Sequence, residues 1–295
     1  MSKLKPTVRE VYDINRSEIE QLSLENTFFH RIRLQNGVYK TTYANRFKDV
    51  NESLIKYLNK EQELYIMDVA ISAGISTYEW NQMLSQSGIK HKMYASDISL
   101  YGKLHPITKF MDILLDSNNY PLQFDLLNRS IPSSSSSLIP SIIQSIFRAI
   151  SSISLNIIQS LHMSKLINIG NPNGSDVRNI TLVTKQLINN PDFTLLEESI
   201  STPTPENLLN KFNVLRAANI LNKSYFDDTT LTNMVINLKS RLKTNGLIVV
   251  CRTCDEKDGT NTSTTFKKTD NGNLEILERI GSGSEIENLI METNH

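Results

Sequence analysis

LYIMDVAISAGISTYEW, residues Leu64 to Trp80, is the stretch whose reading decides the fold. An apolar run of Leu64, Tyr65, Ile66, Met67 and Val69 carries one acid, Asp68. Small residues follow at alternate positions, Ala70, Ser72 and Gly74. Ser76 and Glu79 then have the spacing of a capping box at a helix start. The order is a buried strand, a tight small-residue turn and a helix. Small side chains there let backbone approach a nucleotide-like ligand at the carboxyl end of a parallel strand.

Outward from this stretch the pattern continues on both sides. Upstream, Asn51 is placed to cap a short helix with Leu54, Ile55 and Leu58 on one face. Downstream, a helix is expected from about Thr77 to Ser85, ending near Gly88. KMYASDI, Lys92 to Ile98, reads as a second strand that ends at Asp97. Strand, helix, strand is the start of a parallel α/β sheet.

Between Leu100 and Ser175 the alternation stops. Met111 to Asp125 reads as a hairpin around Ser117-Asn118-Asn119, and a serine run covers Ser133 to Ser137. Ile139, Ile142, Ile143, Ile146, Phe147, Ile150, Ile153, Ile157 and Leu161 then recur at helical spacing opposite a polar face. Serines and Arg148 make this amphipathic stretch too polar to span a bilayer. Alternation resumes at Asp176, placed to cap a helix with Val177, Ile180, Thr184, Leu187 and Ile188 inward, stopped by Asn190-Pro191.

Phe193 to Ile200 and Phe212 to Arg216 are expected as the third and fourth strands. Asp227 or Asp228 opens a helix with Leu231, Met234, Val235, Leu238 and Leu242 on one face, with a stop signal at Asn245-Gly246. Leu247 to Cys251 is apolar enough for a central fifth strand. Ser263 to Lys268 and Leu274 to Arg279 form a hairpin through Asp270-Asn271-Gly272.

Composition narrows the function classes. At 295 residues the chain can bury a large core. Lys+Arg and Asp+Glu are both 31, so there is no global basic field for nucleic acid and no basic stripe with stacking aromatics. The charged N-terminus has no apolar signal core, which reads as a cytoplasmic location. Cys251 and Cys254 are too few for a disulfide framework or a four-ligand zinc site, and they read as strand-end residues. The five histidines are scattered without metal-ligand spacing, so no metal is expected.

The set of motifs resembles class I S-adenosylmethionine-dependent methyltransferases. DVAISAG, Asp68 to Gly74, is similar to that family's Asp-x-Gly-x-Gly-x-Gly loop, with Ala70 and Ser72 in place of two glycines. SDIS, Ser96 to Ser99, resembles the acidic end of the second strand, and EESI, Glu197 to Ile200, the third-strand segment beside the adenine. FNVLRAANIL, Phe212 to Leu221, resembles the fourth-strand motif, and LKTNGLIVV, Leu242 to Val250, the helix-turn-strand after it. Asn219 and Tyr225-Phe226 also resemble a pattern of chemotaxis-receptor methyltransferases, with Ala218 where those enzymes have Arg. The resemblance covers about two-thirds of the chain.

It implies an α/β fold: a Rossmann-like, seven-stranded, mostly parallel sheet with a C-terminal antiparallel hairpin. Residues 1–62 would be a helical cap, and 63–295 the cofactor domain, interrupted by an insertion over 101–175. It implies S-adenosylmethionine as cofactor, with Asp97 and Ile98 at the ribose and Ala70, Ser72 and Gly74 lining it through backbone. Glu198 and Ser199 would bracket the adenine, and Arg216 and Ala217 would lie where cofactor and acceptor meet. Asp68 either organises the loop or lies near the methionine amino group; Arg216 serves the site or a plain ion pair. Tyr39, Tyr43 and Arg46 form a lid or an ordinary packed helix.

No catalytic base is assigned. Substrate choice falls to the insertion, since connections that long are uncommon unless functional. Its Ile-rich stretch covers the domain's own core or active site, meets a lipid-like acceptor or a membrane surface through residues 138–168, or forms a dimer contact. The acceptor is expected to be a small or lipid-like molecule, not nucleic acid. The competing classes are a non-catalytic cofactor-binding scaffold, a protein carboxyl methyltransferase, and a dinucleotide or nucleotide-sugar enzyme.

Overall fold

A computed structural model describes residues 6–34, 39–40, 42, 44–108, 111–126, 129–132, 177–255 and 260–293. In chain order, α1 (Val8–Tyr12) and α2 (Glu18–Phe29) come first, opened by capping boxes at Thr7 and Ser17. Then come α3 (Lys48–Ile55), β1 (Leu64–Val69), α4 (Ile75–Gln86) and β2 (His91–Asp97). Next are β3 (Tyr101–Thr108), β4 (Met111–Asp116), β5 (Pro121–Leu126), β6 (Arg129–Pro132) and β7 (Arg178–Thr181). α5 (Lys185–Ile188), β8 (Phe193–Glu197), β9 (Phe212–Ala218) and α6 (Asp228–Arg241) follow. β10 (Leu242–Asp255), β11 (Thr260–Lys268), β12 (Leu274–Ile280) and α7 (Glu287–Glu292) complete the order.

The chain divides into two compact units, Met1–Thr41 with Tyr101–Leu182, and Thr42–Leu100 with Val183–His295. The boundary expected after residue 62 is thus displaced: α3 belongs with the strands that follow it, because Phe47, Val50 and Leu54 pack with Leu64, Ile66 and Trp80.

The larger unit holds a seven-stranded sheet in the order β12-β11-β10-β9-β1-β2-β8. β8, β2, β1, β9 and β10 run parallel, and β11 and β12 add antiparallel, the mixed Rossmann-like α/β sheet. Strand alternation feeds two apolar layers. Met67, Val69, Leu215 and Ala217 pack on the α6 side. Leu64, Ile66 and Val214 pack with Trp80 and Leu84 of α4. Asp68 and Arg216 share the latter face by register, so two charges sit in an apolar layer.

The smaller unit holds a five-stranded antiparallel sheet, β6-β5-β4-β3-β7. The expected hairpin is β4 and β5, turned by Asn119 at φ 64° with Asp116 Oδ1 accepting from the Asn118 and Tyr120 amides. α1 is tied on through Arg9 Nε to Asp112 Oδ2 (2.6 Å) and the Val8 amide to Asp125 Oδ2 (2.7 Å). The serine run, the Ile-rich stretch, Asp176 and Tyr43 lie outside the described residues.

Four expectations are corrected. Val177 to Thr184 does not begin a helix: Arg178–Thr181 is β7, with Ile180 paired to Gly102, and the helix is confined to Lys185–Ile188. Asn51 is no cap; it lies inside α3, buried. The Ser76/Glu79 capping box does not form, because Gly74 is the N-cap in a left-handed conformation and both residues are already within α4. α6 stops at Arg241, not at Asn245-Gly246, because Leu242 is extended and pairs with Phe212.

Candidate functional site

The carboxyl ends of β1 and β2 meet the start of α4 in one short crossover. Ala70 (φ 57°), Ser72 (φ 59°) and Gly74 (φ 79°) all take left-handed backbone there. Alternate left-handed residues fold the chain back on itself with few side-chain atoms in the way. Glycine takes this conformation freely, whereas a Cβ at Ala70 and Ser72 costs about 1 to 2 kcal/mol each. Neighbours hold the loop in place against that cost. The Ile71 amide donates to Ser96 O (3.0 Å), the Gly74 amide to Ile71 O (2.9 Å), and the Thr184 amide to Ala73 O (2.8 Å).

Asp97 ties the second strand into this loop. Its Oδ2 accepts from the Ser72 amide (2.8 Å) and its Oδ1 from the Ser99 amide (3.1 Å). The residue is 7% exposed, at the edge where β2 ends, and Ile98 beside it is 49% exposed. A carboxylate can accept about four hydrogen bonds. The Ser72 hydroxyl is buried with no hydrogen-bond partner among the described residues. Gly74 leaves no room for a side chain: a Cβ there would lie 2.6 Å from Leu187 Cδ2 of α5. Thr184 and Leu187 therefore wall the crossover, a role sequence reading missed because it placed both on a longer helix.

Asp68 and Arg216 face the other way. Arg216 is fully buried, and donates through Nε to Asp68 Oδ1 (3.0 Å) and Nη2 to Asp68 Oδ2 (2.6 Å). Its Nη1 donates to Asn51 Oδ1 (2.7 Å) and its Nη2 also to Ser76 O (3.3 Å). The guanidinium lies 4.3 Å from the Trp80 ring centroid. Thr77 Oγ1 adds a bond to Asp68 Oδ2 (2.7 Å). Arg216 thus forms an ion pair, one of its two readings, with Asp68 as the partner. An arginine inside the apolar run FNVLRAA was a signal for such a pair; its partners Asn51, Thr77 and Trp80 carried none.

Two further candidates are also built into the fold. Glu198 pairs with buried Arg241, Oε1 to Nη1 at 2.5 Å, so it faces α6 and not the strand edge. Ala217 is 1% exposed in the α6-side core. Ser199 stands at the end of β8, its Oγ 2.6 Å from Ser201 Oγ. Asn219 (φ 58°) closes the end of β9, its amide on Cys251 O and its Oδ1 accepting from the Thr253 amide.

The lid candidates separate. Tyr39 bridges to Arg33 in the smaller unit, while Arg46 Nε donates to Thr253 Oγ1 (2.9 Å) in the larger. Glu79 accepts the Asn45 amide with both oxygens, and burial raises its pKa against that bond and the nearby Arg216. Burial pushes the Cys251 thiol up to about 12, while Cys254 is exposed. No group of His, Cys, Asp or Glu placed to hold a metal ion occurs among the described residues, nor any helix long and apolar enough to cross a membrane. A cleft of about 140 Å³ lined by Tyr57, Leu64, Asn213 and Leu247 lies at the opposite, amino ends of β1, β9 and β10.

No protein-family model matches the chain, and no curated protein matches it. Solved structures do. The citrinin polyketide synthase CMeT domain is 13% identical, with a TM-score of 0.35 over 71% of this chain and 35% of that one. The N-methyltransferase NodS from Bradyrhizobium japonicum WM9, in complex with S-adenosyl-L-homocysteine, is 10% identical, with a TM-score of 0.31 over 70% and 62%. The glycopeptide N-methyltransferase MtfA is 10% identical, with a TM-score of 0.32 over 72% and 56%. The chain spans less than two thirds of each of these three. Likeness this loose fixes neither family nor activity.

Proposed function

We propose that the chain binds S-adenosylmethionine at the β1–α4 crossover and transfers its methyl group to a small or lipid-like acceptor. The observation that carries this reading is the run of left-handed residues at 70, 72 and 74, with its middle amide held by the acid that ends the neighbouring parallel strand. Such a loop presents backbone and small side chains to a ligand, and Asp97 presents a fixed acceptor. A nucleoside with a free ribose diol fits that donor and acceptor set.

In this reading Asp97 accepts from the two ribose hydroxyls, and the exposed side chain of Ile98 lies against the sugar or base. Ala70, Ser72 and Gly74 admit the methionine part by their small size, and Ser199 stands at the adenine end. Bound S-adenosylmethionine supplies a methyl group already activated by the sulfonium charge, so alignment provides much of the rate. The chain's work is then to hold one geometry, which a loop tied at Ser96, Asp97 and Thr184 is suited to do. Balanced charge supports a neutral or weakly charged acceptor over nucleic acid.

Isothermal titration of the full chain with S-adenosylmethionine, S-adenosylhomocysteine, NAD and a nucleoside-diphosphate sugar tests the reading. Binding of the first two, at one site and in preference to the others, is expected. Heat with neither overturns it, and a preference for NAD or the sugar nucleotide moves the protein to another class.

A further inference from the structure

We propose that Arg216 is a positioning residue for the crossover loop: one buried guanidinium staples the two ends of that loop together, and this staple holds Ala70 and Ser72 left-handed. The inference rests on the cofactor reading above only for its affinity readout.

The geometry is specific. Arg216 bonds Asp68, which precedes the loop, and the carbonyl of Ser76, which follows it. Thr77 closes the same gap from the helix side by donating to Asp68 Oδ2. The loop between is thereby a ring whose base is fixed on three sides, by β9, by α3 through Asn51, and by the Trp80 ring. Stability alone does not account for such a pair. Replacing a buried ion pair by apolar residues of similar size is often neutral or stabilising. The charges here lie on the sheet face that packs Leu64, Ile66, Val214, Trp80 and Leu84, where apolar side chains would pack. What the pair supplies and apolar residues could not is directional bonding to both flanks of a strained turn.

Glycine at 70 and 72 would solve the same problem by removing the steric objection to positive φ. In this chain the staple and two glycines are therefore alternative solutions, and each should relieve the loss of the other.

The test combines Asp68→Asn/Arg216→Met, which leaves no uncompensated buried charge, with Ala70→Gly/Ser72→Gly. Thr77→Val, which removes one hydroxyl and keeps the ion pair, serves if the first pair fails to fold. Two measurements are made: hydrogen exchange of the Ile71, Ser72 and Gly74 amides in the free protein, and affinity for S-adenosylhomocysteine. Loss of the staple is expected to speed exchange of those amides by more than about tenfold while the amides of β9 and β10 stay protected. Affinity is expected to fall by about tenfold or more, since small misplacement of a positioned group is costly. The two glycines are expected to restore affinity to within about threefold of the parent, a smaller change than the one the staple's loss produces. Thr77→Val should show the same exchange effect at smaller size. Unchanged exchange at 71–74 overturns the proposal, as does affinity lost without rescue by glycine. If the parent chain binds no cofactor, the reading of function fails, while the exchange measurement still decides the staple.

Discussion

Asp97 and Ser72 are joined across the carboxyl edge of the sheet, the amide of one 2.8 Å from the carboxylate of the other. The acid that ends one strand thus fixes the loop that leaves the next. If both also meet the cofactor, Asp97→Ala removes a ligand and a loop anchor together. Hydrogen bonds to a charged group are worth about 1.5 to 3 kcal/mol, so affinity for S-adenosylhomocysteine should fall by about 10- to 100-fold. Titration calorimetry reads this directly, and an unchanged dissociation constant would place the ligand elsewhere.

Ala70→Val and Ser72→Val test the left-handed backbone. A β-branched residue at positive φ is an outlier that this loop has no slack to admit. Each substitution should lower unfolding free energy by about 1 to 3 kcal/mol, measured by urea denaturation. Val at Ser99, whose φ is not positive, is the comparison expected to lack this backbone penalty.

Glu198→Ala separates a structural acid from a ligand. Arg241 is fully buried, and removing its partner leaves an uncompensated charge. The loss should be about 3 to 5 kcal/mol in stability, with cofactor affinity unchanged at a temperature where the variant is folded. A selective loss of affinity for S-adenosylhomocysteine with full stability would instead make Glu198 a ligand-binding residue.

Asp125 gives a pH signature in the smaller unit. Burial pushes its carboxyl from 3.8 up to about 6, against the bonds it accepts from Val8 and Gln123. Between those two values the folded chain holds more protons than the unfolded chain, so this group's contribution to stability falls as pH rises through that window. Asp125→Asn removes the slope. Subtracting wild-type from variant unfolding free energies at pH 4 and pH 7 should give a difference that favours the variant more at pH 7.

The two cysteines should react at very different rates. The thiolate is the nucleophile, and burial holds Cys251 protonated well beyond pH 8 while Cys254 is exposed. Iodoacetamide followed by peptide mass spectrometry should find Cys254 modified in the native protein and Cys251 only after unfolding.

Much of the fold could be read from local signals. The apolar run before Asp68, the Asp227 cap with its helical stripe, and the turn at Asp270-Asn271-Gly272 each specify an element from neighbours in sequence, and each element formed. Errors arose where distant partners decide. Val177, Ile180 and Thr184 fit helical spacing, but Ile180 is taken up by Gly102 on another strand. Asn245-Gly246 carries a stop signal, yet Leu242 is already extended because it pairs with Phe212. That the small residues and Asp97 meet at one edge of the sheet was legible because one short segment holds the loop and the next strand ends beside it. The directions of Asp68, Glu198 and Arg216 were not, since their ion-pair partners lie 148 and 43 residues away in sequence.

Leu100 and Val183 bury their side chains in one apolar cluster with Ile71, Ala95 and Leu187. The places where the polypeptide departs from the parallel sheet and returns to it are therefore neighbours. A gene segment spliced between them disturbs no strand pairing, and closing a longer excursion adds little entropy penalty. Evolution is thus free to lengthen or exchange what lies between these two positions while the parallel sheet and its β1–α4 crossover are inherited intact.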